Sequence, residues 1–133
     1  MARSEGRTAP CPPQVRQGRM DKAAQFLEAA KLIDVFADHD ELSDALVTVC
    51  VHAGIAAADV ICCSALGRHA RGEDHAQAVA LIQTADRDAA RHLNALLGMK
   101  TLAGYSPRPV GPEDRRRALR AAAALVDAAR KRG

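Results

Sequence analysis

Aromatic residues are almost missing from this chain of 133 residues, which contains two phenylalanines, one tyrosine and no tryptophan. Aromatic and β-branched side chains favour strands, so the scarcity of aromatic residues argues against a fold built on β-sheets. Alanine is abundant instead, with 29 residues, and it has the highest helix propensity of all residues. A chain of this length suits one domain with one core. The composition therefore predicts a single all-α domain.

The cysteine patterns of disulfide frameworks and zinc sites are also missing. The four cysteines, Cys11, Cys50, Cys62 and Cys63, form no CxxC pair, and such pairs are typical of zinc sites. Cys50 and Cys62 would lie about 18 Å apart along one helix, which is too far for a disulfide. We expect all four to be reduced, small buried residues in a cytoplasmic protein that uses no metal and no cofactor.

Segments typical of membrane insertion are missing too. Residues 1–19 lack the apolar core of a signal peptide. The most apolar stretch, 42–66, is interrupted by Asp44, His52 and Asp59, which argues against a membrane span. We therefore expect no membrane partner and a cytoplasmic location.

Charge is distributed unevenly, although the formal net charge is only +3. The two ends, 1–19 and 113–133, carry +3 and +4, and the segment between them carries −4. Arg115, Arg116 and Arg117 crowd the first turns of the last predicted helix, where the helix dipole disfavours cations. This placement favours contact with RNA phosphates; the alternative is a solvated helix end.

Apolar periodicity divides the rest of the chain into helices. Residues 1–18 contain three prolines and two glycines without an apolar period, and we expect them to form a disordered tail. Residues 19–133 are predicted to form one up-and-down bundle of about five helices. The predicted helices run over about 20–37, over about 41–66, from about 73 or 74, from 84–86 to about 102, and from 112 or 113 to about 131.

The second predicted helix is apolar almost all round, so we expect it at the centre of the bundle. Its run of small residues at 53–58, Ala-Gly-Ile-Ala-Ala-Ala, would allow close packing of a neighbouring helix or of a second copy of the chain. Asp59 follows on the same helix. Its carboxylate is expected either to form a structural ion pair with an arginine or to support an active cleft.

A loop between the second and third predicted helices concentrates residues that could handle a phosphodiester. Arg68, His69, Arg71 and His75 stand there beside two glycines, directly before a helix N-terminus. Arginine recognises phosphate with two hydrogen bonds, and histidine transfers protons near neutral pH. A helix N-terminus offers free N–H groups to anions. The alternative is a polar surface loop with a helix cap.

Arg68 followed by His69, with His75 six residues after His69, resembles the motif of the HEPN domain family, which joins an arginine and a polar residue to a histidine. The segments around this motif are similar to small bacterial HEPN proteins as well: His52 to Asp59, Gly67-Arg68, Gly72 to His75, and Leu96-Leu97 followed by Lys100, Ala103 and Tyr105. The resemblance covers about residues 20–131.

The resemblance implies a helical bundle that acts on RNA. Active members of the family are metal-independent ribonucleases, often toxins, whose two motifs meet in a cleft across a homodimer. Carried over to this chain, Arg68 would orient and neutralise the scissile phosphate, and His75 would act as base or acid. His69 fills the polar position and would support either role. Arg71 has no fixed place in the motif and is assigned to the RNA backbone.

One position departs from the family pattern. Toxins that a nucleotidyltransferase partner neutralises carry a tyrosine two residues after the motif histidine, and this chain has Gln77 there. This argues against neutralisation by modification at that residue, while an antitoxin or a nucleotidyltransferase stays among the partners that the resemblance implies. The alternative functions are a non-catalytic module that binds RNA or nucleotide, and a helical protein-interaction module.

Overall fold

The computed structural model describes residues 7–38, 41–72 and 74–132. Within these ranges the chain forms five helices and one short antiparallel ribbon of two strands. The elements in chain order are β1 (Thr8–Pro10), α1 (Pro13–Phe36), α2 (Ser43–Leu66), β2 (Arg68–Ala70), α3 (His75–Gln83), α4 (Arg87–Tyr105) and α5 (Pro112–Arg132). The prediction of an all-α bundle of about five helices is confirmed.

Helix α2 is the central element, as its apolar composition predicts. It packs against α1, α4 and α5, and Leu46, Val47, Cys50 and Ile61 on it are fully buried. By length and composition α2 could cross a bilayer, but 72% of its most apolar window is buried within the bundle. Its hydropathy is therefore accounted for by its position in the core.

The run of small residues on α2 serves packing within the chain. A Cβ atom at Gly54 would overlap Leu96 Cδ1 on α4 and would lie 3.2 Å from Leu125 Cδ1 on α5. Ala53 and Ala57 beside it are fully buried. Neighbouring helices of the same chain occupy this face, as one of the two expectations has it. The face is therefore not open to a second copy of the chain.

The ends of the helices follow local sequence signals. Gly67 ends α2 in the left-handed conformation, with φ of 76°. Asp74 and Asp86 cap α3 and α4, each accepting a backbone N–H of its helix with the side chain. The predicted break at 38–40 falls partly on residues 39 and 40, which lie outside the described residues.

The expectation of a disordered tail over residues 1–18 is wrong for residues 7–18. Strand β1 pairs with β2, so that Ala9 lies opposite His69, and α1 begins at Pro13, seven residues earlier than its apolar period predicts. Proline suits the first turn of a helix because the amide hydrogen it lacks has no partner there. The contacts that order β1 come from residues some 60 positions away, so no local pattern signals them. Residues 1–6 lie outside the described part of the chain.

The expectation of four reduced cysteines is wrong for two of them. Cys11 and Cys63 form a disulfide with their Cα atoms 5.6 Å apart, which ties the segment after β1 to the end of α2. Cys50 and Cys62 are free and buried, as expected. Burial raises the pKa of each of these two thiols to about 12, with a smaller contribution from a nearby carboxylate.

Candidate functional site

A cavity of about 410 Å³ lies where β2 and the start of α3 meet the second half of α2 and the middle of α4. We call it the histidine cavity. Its polar side is formed by three histidines, three cations and two carboxylates: His52, His69, His75, Arg19, Arg71, Lys100, Asp59 and Asp74. Its apolar side is formed by residues of α2, α3 and α4: Ile55, Ala58, Cys62, Ala78, Leu93 and Leu97.

Strand β2 places His69 in the cavity and Arg68 outside it. Successive side chains of a strand point to opposite faces. The His69 side chain is only 17% exposed, and its Nδ1 donates a hydrogen bond to the Ala70 carbonyl oxygen at 2.8 Å. This bond leaves Nε2 as the second ring nitrogen, which accepts when the ring is neutral and donates when it is protonated. Arg68 is exposed and does not line the cavity.

Asp59 links the first helix to the strand. Its Oδ2 accepts from Arg19 Nε at 2.8 Å, and its Oδ1 lies 3.9 Å from His69 Nδ1. Burial raises the pKa of the Asp59 carboxyl, while the positive charges of Arg19 and of a protonated His69 oppose this effect. The expectation that Asp59 pairs with an arginine is confirmed, and the partner comes from α1.

His75 is held from α4. Lys100 Nζ lies 3.0 Å from His75 Nε2. An ammonium group has donors only, so His75 Nε2 accepts this hydrogen bond and carries no proton in this arrangement. Within the described ranges Lys100 forms no ion pair with a carboxylate. Its charge therefore remains available to an anion in the cavity.

The loop after β2 is fixed by the N-terminal segment. Arg71 N donates to the Arg7 carbonyl oxygen at 2.8 Å. Gly72 has φ of 84°, which non-glycine residues rarely adopt, and the Arg7 guanidinium packs against it 3.1 Å from where a Cβ would stand. The free N–H groups expected at the N-terminus of α3 are partly used, because Asp74 Oδ1 accepts from Gln77 N.

Most of the polar residues of the cavity are predicted as site residues from the sequence, but Arg19 and Lys100 are not. His69, Arg71, His75 and Asp59 meet in one cavity, and each was singled out from the sequence. From the sequence alone, Arg19 belongs only to the basic end 1–19, and Lys100 only to the segments that resemble the family. A histidine and a lysine 25 residues apart show no pattern before the helices pack, so only the fold reveals their contact.

The predicted RNA contact of Arg115 is wrong. Its side chain is 4% exposed, and its guanidinium donates to the Ser43 hydroxyl at 2.8 Å and to the Glu41 carbonyl oxygen at 2.9 Å. It also lies 3.4 Å from Asp34 Oδ1, so it joins the N-terminus of α5 to α1 and α2. The helix dipole argument failed here because the cation serves packing between helices.

Arg116 and Arg117 are exposed and form ion pairs along α5, with Glu113 at 3.2 Å and Asp114 at 2.9 Å. Arg115 contacts Ser43 at the first turn of α2, and Asp59 lies 16 residues further along this helix. The rise of 1.5 Å per residue separates these two positions by about 24 Å. The arginines of the first turns of α5, Arg115 to Arg117, and the histidine cavity therefore belong to opposite ends of α2.

His52 and Tyr105 are on the surface. His52 is exposed, lines the cavity and packs its ring 5.5 Å from that of Phe26. Tyr105 is 78% exposed.

The site offers little support for a cysteine nucleophile or for a metal centre. Cys62 lines the cavity, but burial raises the pKa of its thiol to about 12, and the nucleophile would be the thiolate. Among the described residues, no three histidine, cysteine or acidic side chains are placed so that they could hold one metal ion.

No family model, no curated protein and no solved structure matches this chain.

Proposed function

We propose that this protein is a metal-independent endoribonuclease that cleaves single-stranded RNA in the histidine cavity. The observation that carries the proposal is the placement of His69 and His75 in one cavity with the Lys100 ammonium group 3.0 Å from His75 Nε2. Cleavage without a metal needs a base, an acid and a positive charge beside the phosphate. These three groups supply all of them.

The reaction uses the ribose 2′-hydroxyl as nucleophile. A base removes its proton, O2′ attacks phosphorus, and an acid protonates the departing 5′-oxygen, which leaves a 2′,3′-cyclic phosphate and a 5′-hydroxyl. His75 is assigned as the base because its Nε2 is unprotonated in this arrangement. His69 is assigned as the acid, and Lys100 turns from His75 to the phosphate, where negative charge develops.

Arg71 and Arg19 have supporting places in this scheme. Arg71 lies at the rim of the cavity and is assigned to the RNA backbone. Arg19 neutralises Asp59, which keeps a free carboxylate from repelling the phosphate.

The family resemblance assigns the phosphate to Arg68 in a cleft between two protomers, whereas the cavity assigns it to Lys100. The two assignments predict different variants to fail. If Arg68 acts across a homodimer, Arg68→Ala abolishes cleavage and the protein is a dimer at micromolar concentration. If the cavity acts within one protomer, Lys100→Ala has the larger effect.

The test is a cleavage assay on synthetic single-stranded RNA with EDTA present. We expect the wild type to release 2′,3′-cyclic phosphate ends and His75→Ala or His69→Ala to lose about 100-fold or more in rate, the usual contribution of acid–base catalysis. His92→Ala is the matched control, because His92 lies on α4 outside the cavity. Equal rates for wild type and His75→Ala would exclude the assigned mechanism.

A second candidate function is binding of a nucleotide without cleavage. A volume of about 410 Å³ and a lining that is half apolar suit a small ligand. Binding of a ribonucleoside monophosphate in calorimetry, together with RNA that stays intact in the cleavage assay, would favour this function.

An antitoxin or nucleotidyltransferase partner belongs to the proposal of a toxin-type ribonuclease, and co-purification with the product of a neighbouring gene would test it.

A further inference from the structure

A second concave surface adjoins the histidine cavity between α2 and α4. It has a volume of about 580 Å³, and we call it the α2–α4 groove. Its lining includes Asp44, Thr48 and Val49 of α2 and Gly104 and Tyr105 of α4.

The groove and the histidine cavity share two residues. His52 and Lys100 line both, so the two spaces meet at these side chains. A polymer with a phosphate at Lys100 would therefore extend into the groove with its next unit. A single nucleotide would be confined to the cavity.

The far part of the groove carries an exposed aromatic ring. Tyr105 is 78% exposed, and it stands five residues after Lys100, about 7.5 Å along the helix. The chain has only three aromatic residues, and this one contributes no side chain to the core. Unpaired bases of RNA stack on exposed aromatic rings of this kind with little sequence preference.

One cation and one carboxylate of the described residues line the groove, Lys100 and Asp44. Lys100 stands at the junction with the cavity. The Asp44 carboxylate is engaged, because its Oδ1 accepts from Val110 N at 2.9 Å and holds the connection between α4 and α5. His52 is exposed beside Phe26 and offers a second ring at the junction.

We infer that the α2–α4 groove binds the nucleotide next to the one in the histidine cavity, with its base stacked on Tyr105. This inference rests on the proposed RNA-acting function and specifies its substrate: a single-stranded oligonucleotide that spans both spaces. The groove contributes affinity and position, and the bond is cleaved in the cavity.

Binding of uncleavable ligands tests the inference. The probes are uridine 3′-monophosphate and a 2′-O-methyl uridine hexanucleotide, which lacks the nucleophilic hydroxyl. Titration with each would be followed by calorimetry for the wild type, Tyr105→Ala and Tyr105→Phe. Phe36→Ala is the matched control, since Phe36 is an aromatic residue on α1 that is 80% exposed and lies outside the groove.

We expect Tyr105→Ala to weaken binding of the hexanucleotide by about tenfold, the usual scale for one base stacked on a ring. Binding of the monophosphate should stay unchanged, and Tyr105→Phe and Phe36→Ala should bind both probes like the wild type. Equal hexanucleotide affinity for wild type and Tyr105→Ala overturns the inference. A hexanucleotide that fails to bind, or a Tyr105→Ala effect that coincides with loss of a dimer in light scattering, also overturns it.

The two proposals fail in different ways. If hexanucleotide binding depends on Tyr105 but unmodified RNA is not cleaved, the ribonuclease proposal is rejected and the groove is kept as a binding site. If cleavage depends on His75 but hexanucleotide binding does not depend on Tyr105, the groove is rejected as a binding site and the ribonuclease proposal is kept.

Discussion

Lys100 Nζ lies 3.0 Å from His75 Nε2, so the middle of α4 holds the first residue of α3 inside the histidine cavity. The two residues are 25 positions apart and join in a part-buried contact. The proposed chemistry depends on this contact, because Lys100 both sets the hydrogen-bonding state of the base and supplies a charge for the phosphate.

Removal of the Lys100 charge should affect the chemical step of RNA cleavage. Lys100→Met keeps much of the side-chain volume but removes the ammonium group. We expect kcat to fall by about 100-fold, the usual effect of losing one group that stabilises developing charge. Single-turnover kinetics would measure it, with Lys22→Met on the exposed side of α1 as control. An unchanged kcat would mean that another cation stabilises the negative charge on the phosphate, and Arg68 would be the next residue to test.

The titration of Asp59 should make stability depend on pH. Burial raises its pKa above the ordinary value of 3.8, so the folded chain binds this proton more tightly than the unfolded chain does. The contribution of Asp59 to the free energy of unfolding is therefore greatest below pH 3.8 and falls as pH rises through the folded-state pKa. Asp59→Asn cannot titrate.

Urea unfolding of the wild type and Asp59→Asn between pH 3.5 and 7 would measure this effect. We expect the stability of the wild type, relative to the variant, to decrease as pH rises across this window. A relative stability that increases with pH would mean that the Arg19 ion pair outweighs burial.

Two glycine substitutions should have opposite effects on stability. Gly54→Ala places a methyl group against Leu96 and Leu125, and overpacking of a core costs about 1–3 kcal/mol. Better helix propensity offsets about 1 kcal/mol of that loss. Gly98→Ala gains the same propensity with no atom within 4 Å of the new Cβ, so it should stabilise the protein by about 0.5–1 kcal/mol. Thermal unfolding of both variants compares them, and a stabilised Gly54→Ala would contradict the close helix contact.

The arginines at the start of α5 should divide into one structural residue and two surface residues. Arg115→Ala leaves the Ser43 hydroxyl and the Glu41 carbonyl without their donor, and each buried polar group left without its partner costs about 1–3 kcal/mol. Arg116→Ala and Arg117→Ala remove exposed pairs, each contributing at most about 1 kcal/mol. Denaturant unfolding measures all three. Similar losses for Arg115→Ala and Arg117→Ala would contradict this division.

Reduction of the Cys11–Cys63 disulfide should destabilise the fold. The bond closes a segment of 52 residues, and a cross-link over that length stabilises by about 4 kcal/mol through the lost entropy of the unfolded chain. We expect dithiothreitol to lower the unfolding midpoint of the wild type and to leave the Cys11→Ser/Cys63→Ser variant unchanged. An equal shift of the unfolding midpoint in both proteins would mean that the reductant does not act through the Cys11–Cys63 disulfide.

Local signals in the sequence predict most of the fold and part of the site. The end of α2 at residue 66, the start of α3 near residue 74 and the apolar surface of α2 each depend on a few neighbouring residues, and the structure has them as predicted. The failures concern contacts between distant residues. The disulfide of Cys63 is recognised only when Cys11 is known to lie beside it. The structural role of Arg115 is recognised only when Ser43 and Glu41 are known to contact it.

The histidine cavity shows the same division. A histidine, an arginine and a second histidine in one loop are visible as a cluster in the sequence, and they meet in space. Arg68 belongs to that cluster by spacing, but the alternation of a strand turns it outward, and a loop prediction contains no such alternation.

The separations of the site contacts along the chain have a consequence for the order of folding. Arg19 reaches Asp59 over 40 positions, and Lys100 reaches His75 over 25. Contacts of this range form after local helices, since the loop between the partners must first be closed. We therefore expect the cavity to be completed late, so that a nascent chain that has formed its helices still lacks the arrangement proposed for catalysis.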